Sequence, residues 1–326
     1  MAIFENLDKA LFSELTDDEK QMRETNKLYD YSRYKNVITT KPFKVKTIDK
    51  PDNRIILKSS LYGYNSYNLT KTIFCPLNDK FIIQTTAPIL EDKTYGYVHA
   101  SPYEYDNIVY YASQCPRKED MILFLTMLIQ SKINIVCITT NLEQYNSGKY
   151  KITNYKWYPT VKGSRISYDG IVITNNDVID IKVSENESIT IFKLSLIINK
   201  DDEYYVQSLI VFQYNNWLDT LSPRDFSNYI KYIDVIKEYM DLFSKVLNDD
   251  EKLNILIHCS AGIGRTGVLL LSLIMLNKID QIKSKKEIDE TVFNIINTIR
   301  KSRYIIPDKN QYDFVIKYVY YLFDNK

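Results

Sequence analysis

Histidine and cysteine are scarce in this chain, with two and four copies in 326 residues. Cys75, Cys115, Cys137 and Cys259 lie far apart and share no C-x-x-C spacing, which excludes the usual zinc constellations. Scattered cysteines fit a reducing compartment rather than a disulfide framework. Neither sign of charge prevails: 42 Lys and Arg stand against 41 Asp and Glu, a net charge of +1. No global field therefore draws the chain to nucleic acid or to a membrane surface. No apolar run approaches the roughly 18 residues of a membrane span. The opening MAIFENLDKALFSELTDDEK is too charged for a signal peptide. The chain reads as soluble and cytoplasmic, with no nucleic-acid partner and no membrane segment expected. Gly and Ala are sparse while Tyr, Asn, Ile and Lys abound, the composition of an AT-rich genome. The length allows one large or two ordinary domains.

Against that scarcity, three of the eight glycines fall between residues 262 and 267. They belong to the stretch around which the chain is organised, Leu253 to Ile279. Its first part is a continuous apolar run, short enough for a fully buried strand. Its last part is apolar for over two turns, as in a helix buried on most sides. The loop between begins at Cys259 and carries Gly262, Gly264, Arg265 and Gly267. Glycines let successive backbone N–H groups point into one concavity, and the helix that follows adds the positive end of its dipole. Such a loop is an anion cradle. Arg265 can close it with a planar fork that fits a phosphoryl group. Cys259 stands at its floor, where the dipole and Arg265 favour thiolate, the nucleophile of covalent phosphoryl transfer. A mononucleotide loop of the Walker type is excluded, because Val268 follows the last glycine in place of Lys and Ser or Thr.

The loop, read from its leading histidine as HCSAGIGRTG, resembles the signature of the phosphotyrosine-specific protein tyrosine phosphatases. That resemblance implies a cysteinyl-phosphate intermediate, no metal or other cofactor, and phosphotyrosine-containing proteins as partners. It implies an α/β fold: a highly twisted mixed sheet flanked by helices on both faces. Cys259 would be the nucleophile, Arg265 and the loop residues Ser260, Ala261, Gly262, Ile263 and Gly264 the phosphate holders. Thr266 would help the thiolate leave, and His258 would support the loop.

Other stretches resemble the family in the same order. Arg33-Tyr34 resembles the end of a Lys-Asn-Arg-Tyr stretch, so Tyr34 would wall the slot for the substrate ring. Asn36 stands where the family has an Asp that anchors the substrate backbone. Residues 52–57 resemble a following strand, and no clear counterpart exists for 58–94, read as an inserted hairpin or extended loop. Tyr97 to Ser101 and Tyr111 to Pro116 resemble structural strands. Residues 120–130 read as a helix feeding a strand at 133–139. Glu143 falls where the family places a carboxylate behind the signature Arg. Trp157-Tyr158-Pro159 resembles a permuted Tyr-Trp-Pro. Trp217-Leu218-Asp219 resembles the mobile Trp-Pro-Asp loop, with Trp217 as hinge and Asp219 as general acid, since a tyrosyl oxygen leaves poorly unless protonated. Gln311 matches the second of two family glutamines. Pro307 stands where the first, which positions the attacking water, should be.

Together these readings predict one domain over residues 1–326, with its core at about 24–322 and a helical segment at 1–30. The expected function is hydrolysis of phosphotyrosine in proteins. Two alternatives stay open: a phosphotyrosine-binding module with weak or no turnover, favoured by Leu218, Asn36 and Pro307, and a dual-specificity or RNA 5′-phosphatase on the same loop. Oligomeric state is not legible in the sequence.

Overall fold

The computed structural model describes residues 54–58, 80–84, 98, 100–116, 121–140, 156–200, 203–215, 217, 222–223, 225–248, 250–300, 303, 305–306 and 308–326. The first half of the described chain is dominated by strands: β1 (Arg54–Lys58), β2 (Lys80–Gln84), β3 (Ala100–Tyr105), β4 (Ile108–Ser113), β5 (Ile135–Ile138), β6 (Arg165–Tyr168), β7 (Ile171–Lys182), β8 (Ser188–Lys200) and β9 (Glu203–Tyr214). Helix α1 (Met121–Gln130) interrupts them between β4 and β5. Then come α2 (Phe226–Val246), β10 (Leu253–His258), α3 (Gly264–Lys278), α4 (Lys285–Arg300) and α5 (Lys309–Asp324).

Eight strands form one mixed sheet in the order β3-β4-β10-β5-β9-β8-β7-β6. The centre, β4-β10-β5-β9, is parallel, and the remaining neighbours pair antiparallel. Strand β10 sits inside the parallel part and is apolar on both faces, the pattern expected when helices cover each side. Leu253, Ile255 and Ile257 face a core shared with α2, α3, α4 and α5, through side chains such as Tyr232, Ile274, Ile296 and Val319. Leu256 faces the opposite core, where Phe124, Leu125 and Leu128 of α1 meet Val136 and Ile138 of β5. Helices therefore lie on both faces, as the resemblance implied.

Strand β2 falls in the 58–94 stretch and pairs antiparallel with β1, Ile56 opposite Ile82. The helical segment expected at 1–30 and most of 58–94 lie outside the described residues. No helix among the described residues is long and apolar enough to cross a membrane.

Three described helix starts carry side-chain caps, among them that of α4, where Ser284 Oγ accepts from the Glu287 N–H at 3.3 Å. The Asp225 carboxylate accepts from the N–H groups of Ser227 and Asn228 at the head of α2, and Asp308 accepts from Asn310 at the head of α5. Helix α3 is different: its N-cap residue is Ile263 and no side chain accepts its first N–H groups. Those donors open onto the site.

Candidate functional site

The chain leaves the carboxyl edge of the sheet at His258 and turns at once through Cys259 into α3. Gly262 makes that turn possible. Its φ is +74°, a left-handed value, and a Cβ there would lie 2.3 Å from the carbonyl oxygen of Ser113 at the end of β4. Only glycine fits both the dihedral and the space. The turn brings the Gly262 N–H to the Cys259 sulfur, at 3.2 Å. The thiol is 2% exposed, at the floor of the loop.

Arg265, in the first turn of α3, is also 2% exposed. Its Nη1 donates to the Trp217 carbonyl oxygen at 2.9 Å and to Thr140 Oγ1 at 3.2 Å, and Nη2 donates to Ser260 Oγ at 3.1 Å. Thr140 follows β5, Trp217 follows β9, and Ser260 follows β10. Three neighbouring parallel strands thus end on one guanidinium. The carboxyl ends of strands in an open α/β sheet are where such folds bind ligands.

Thr266 Oγ1 and Gln311 Oε1 are buried beside the loop with no hydrogen-bond partner among the described residues. The Gln311 amide lies against the loop so closely that a Cβ on Gly264 would come within 2.7 Å of its Nε2. Buried polar groups are seldom left unpaired, and unpaired ones tend to mark functional sites. Both belong to residues expected to act on the reacting groups.

His258 supports the loop from the opposite face of the sheet. Its Nε2 lies 3.4 Å from the indole Nε1 of Trp157, and its Nδ1 lies 3.1 Å from the Cys259 carbonyl oxygen. An indole N–H can only donate. Nε2 is therefore the acceptor, and Nδ1 carries the proton and donates to Cys259. Burial pushes the imidazole down from 6.5 to about 4. The ring is neutral and fixed in one tautomer.

Of the residues singled out in the sequence, Cys259, Ser260, Ala261, Gly262, Ile263, Gly264, Arg265 and Thr266 form the loop and first helical turn, and Gln311, Trp217 and His258 border them. Tyr34, Asn36, Glu143, Leu218, Asp219 and Pro307 lie outside the described residues. Sequence reasoning missed three groups. Thr140 holds Arg265, Trp157 fixes His258, and Arg303 donates to the Gly262 carbonyl oxygen from Nη1 at 3.1 Å. Trp157 had a signal, in its resemblance to the family's Tyr-Trp-Pro. Thr140 had none.

The family model described as Protein-tyrosine phosphatase matches residues 70–321, which takes in part of the 58–94 stretch. Human tyrosine-protein phosphatase non-receptor type 9 is 26% identical over 214 residues, 64% of this chain and 33% of that protein. Human tyrosine-protein phosphatase non-receptor type 12 is 27% identical over 218 residues, 67% of this chain and 25% of that protein. Tyrosine-protein phosphatase 69D of Drosophila melanogaster is 23% identical over 261 residues, 77% of this chain and 15% of that protein. The chain spans about a third or less of the length of these relatives.

Proposed function

The chain belongs to the protein-tyrosine phosphatase family, and from that premise we propose that it hydrolyses phosphotyrosine in proteins through a cysteinyl-phosphate intermediate. The observation that carries this reading is the pairing of a loop N–H on the Cys259 sulfur with a buried Arg265 held by three strand ends. A donor aimed at the sulfur and a fixed fork beside it are what a thiolate nucleophile and a phosphoryl group require.

In the first step the Cys259 sulfur forms a bond to phosphorus, and the bond from phosphorus to the tyrosyl oxygen breaks. Asp219 gives that oxygen its proton. The Trp217 carbonyl already accepts from Arg265, and Asp219 follows Trp217 by two residues in the sequence. Arg265 and the uncapped N–H groups of α3 balance the charge that spreads over the phosphoryl oxygens. In the second step water attacks phosphorus and the sulfur–phosphorus bond breaks, releasing inorganic phosphate. Asp219 takes the water's proton, the Gln311 amide orients that water, and the Thr266 hydroxyl donates to the departing thiolate. The reaction as written calls for no metal or cofactor. A reducing cytoplasm suits it, because the nucleophile must stay a free thiol.

Turnover on a phosphotyrosine peptide, a phosphoserine peptide and an RNA 5′-triphosphate tests the reading. Phosphotyrosine should be preferred by orders of magnitude. Equal rates on phosphoserine, or a preference for RNA, would replace it with one of the other readings.

A further inference from the structure

A second arginine reaches the cradle from the turn between α4 and α5. Arg303 is 1% exposed; its Nη1 donates to the Gly262 carbonyl oxygen at 3.1 Å and its Nε donates to Ser101 Oγ, in β3, at 3.2 Å. The turn that carries it is clamped in turn. Arg300 donates from Nε to the Ile305 carbonyl at 3.0 Å and from Nη2 to the Ile306 carbonyl at 2.6 Å. Ile306 has a φ of +49°, a value that a β-branched residue holds only where its surroundings impose it. Ile305 and Ile306 also lie against the bare Cα of Gly267, where a Cβ would meet them at 3.0 and 2.9 Å. The turn is thus packed onto the first turn of α3, and Arg303 has a fixed origin.

The peptide it grips matters. No cis peptide bond is present among the described residues, and in a trans peptide the C=O and the next N–H point in opposite directions. Holding the Gly262 carbonyl on Arg303 therefore turns the Ile263 N–H the other way. Gly262, in its left-handed conformation, has its own N–H on the Cys259 sulfur. Successive N–H groups around a left-handed residue form a nest for an anion.

We infer that Arg303 is a positioning residue for the phosphate cradle, which fixes the Ile263 N–H toward the phosphoryl oxygens by holding the carbonyl of the same peptide. The inference rests on the function proposed above, since it supposes that the cradle binds a phosphoryl group. Arg303 does not touch the substrate. It acts through the loop backbone.

Inorganic phosphate, titrated into the full chain, is the probe. Arg303→Met should melt cooperatively and bind phosphate about tenfold more weakly, the scale of one charge-assisted hydrogen bond. Its kcat/KM on aryl phosphates should fall by a similar factor whatever the acidity of the leaving group, because the cradle works independently of the proton donor. Ser101→Ala cuts the tie to β3 and spares the Gly262 contact, so its phosphate affinity should stay within about twofold of the wild type. Unchanged phosphate affinity in Arg303→Met overturns the inference. So does an equal loss in Ser101→Ala, which would make Arg303 a staple of the fold. Should Arg303→Met fail to fold, the wild type still decides: the Ile263 amide proton must move downfield as phosphate saturates the site, and a resonance that stays put overturns the inference. A wild type that binds phosphate but turns over no phosphotyrosine removes the proposed reaction and leaves the Arg303 comparison readable.

Discussion

The indole N–H of Trp157 donates to Nε2 of His258 across 3.4 Å, and this one bond decides the tautomer of the residue beside the nucleophile. A protonated His258 would set two donors against each other. The ring stays neutral, and its remaining proton holds the Cys259 carbonyl.

A pH dependence of stability follows. His258 falls to about 4 in the folded protein from 6.5, so between these values the unfolded chain binds the proton more readily. The contribution is complete above pH 6.5 and is lost as pH drops toward 4. By linkage it amounts to about 3 kcal/mol. Denaturant titrations at pH 7 and pH 4 should show the wild type losing about that much more than His258→Gln, which cannot titrate. Equal losses in the two proteins would place the acid sensitivity elsewhere.

Replacing the nucleophile should separate binding from turnover. Cys259→Ser leaves the Gly262 amide and Arg265 in place, so phosphotyrosine peptide should still bind. Turnover should vanish, because a hydroxyl does not ionise in the cradle as a thiol does. Full activity in this variant would remove the covalent mechanism.

Asp219→Ala should slow the reaction on phosphotyrosine by about 10²–10⁴-fold, the usual share of general acid–base catalysis. An aryl ester whose leaving group needs no proton should lose much less. The comparison of the two esters is the measurement, and equal losses would reduce Asp219 to a structural loop residue.

Gln311 carries the water-positioning role alone if Pro307 has displaced the family's first glutamine. Gln311→Ala should then leave formation of the intermediate untouched and slow its hydrolysis. Rapid mixing should show a burst of leaving group near one per active site, followed by a slow steady rate. A burst-free trace at the wild-type rate would mean that another group directs the water.

The strand-loop-helix unit was legible because all its signals are local. The apolar run of β10, the glycines and the five residues between Cys259 and Arg265 sit in one window, and structure adds only their geometry. Strand β9 was half legible. The run Leu209–Tyr214, the part buried on both sides, has an apolar pattern that reads as a strand by itself, whereas the strand begins at Glu203. Its first residues pair with β8 in an antiparallel ribbon that leaves Tyr205 and Val206 exposed, so they lack the apolar signature. The supports of the site were not legible. Thr140 and Arg265 are 125 residues apart, and Trp157 and His258 are 101 apart. Such contacts depend on which strands become neighbours, and no local pattern records that. The same holds for Arg303, whose sequence neighbourhood reads as an ordinary turn.

Helix α3 begins with nothing on its first N–H groups but the loop itself. Where a side chain caps another described helix start it supplies an oxygen, so an arriving phosphate would do for α3 what Asp225, Ser284 and Asp308 do for theirs. In the proposed reaction the product would then also serve as a cap for this helix. At a concentration of 100 times its dissociation constant, a ligand that binds only the folded chain adds about 2.7 kcal/mol of stability. A protein purified in phosphate and one purified without it should differ in thermal endurance before either meets a substrate.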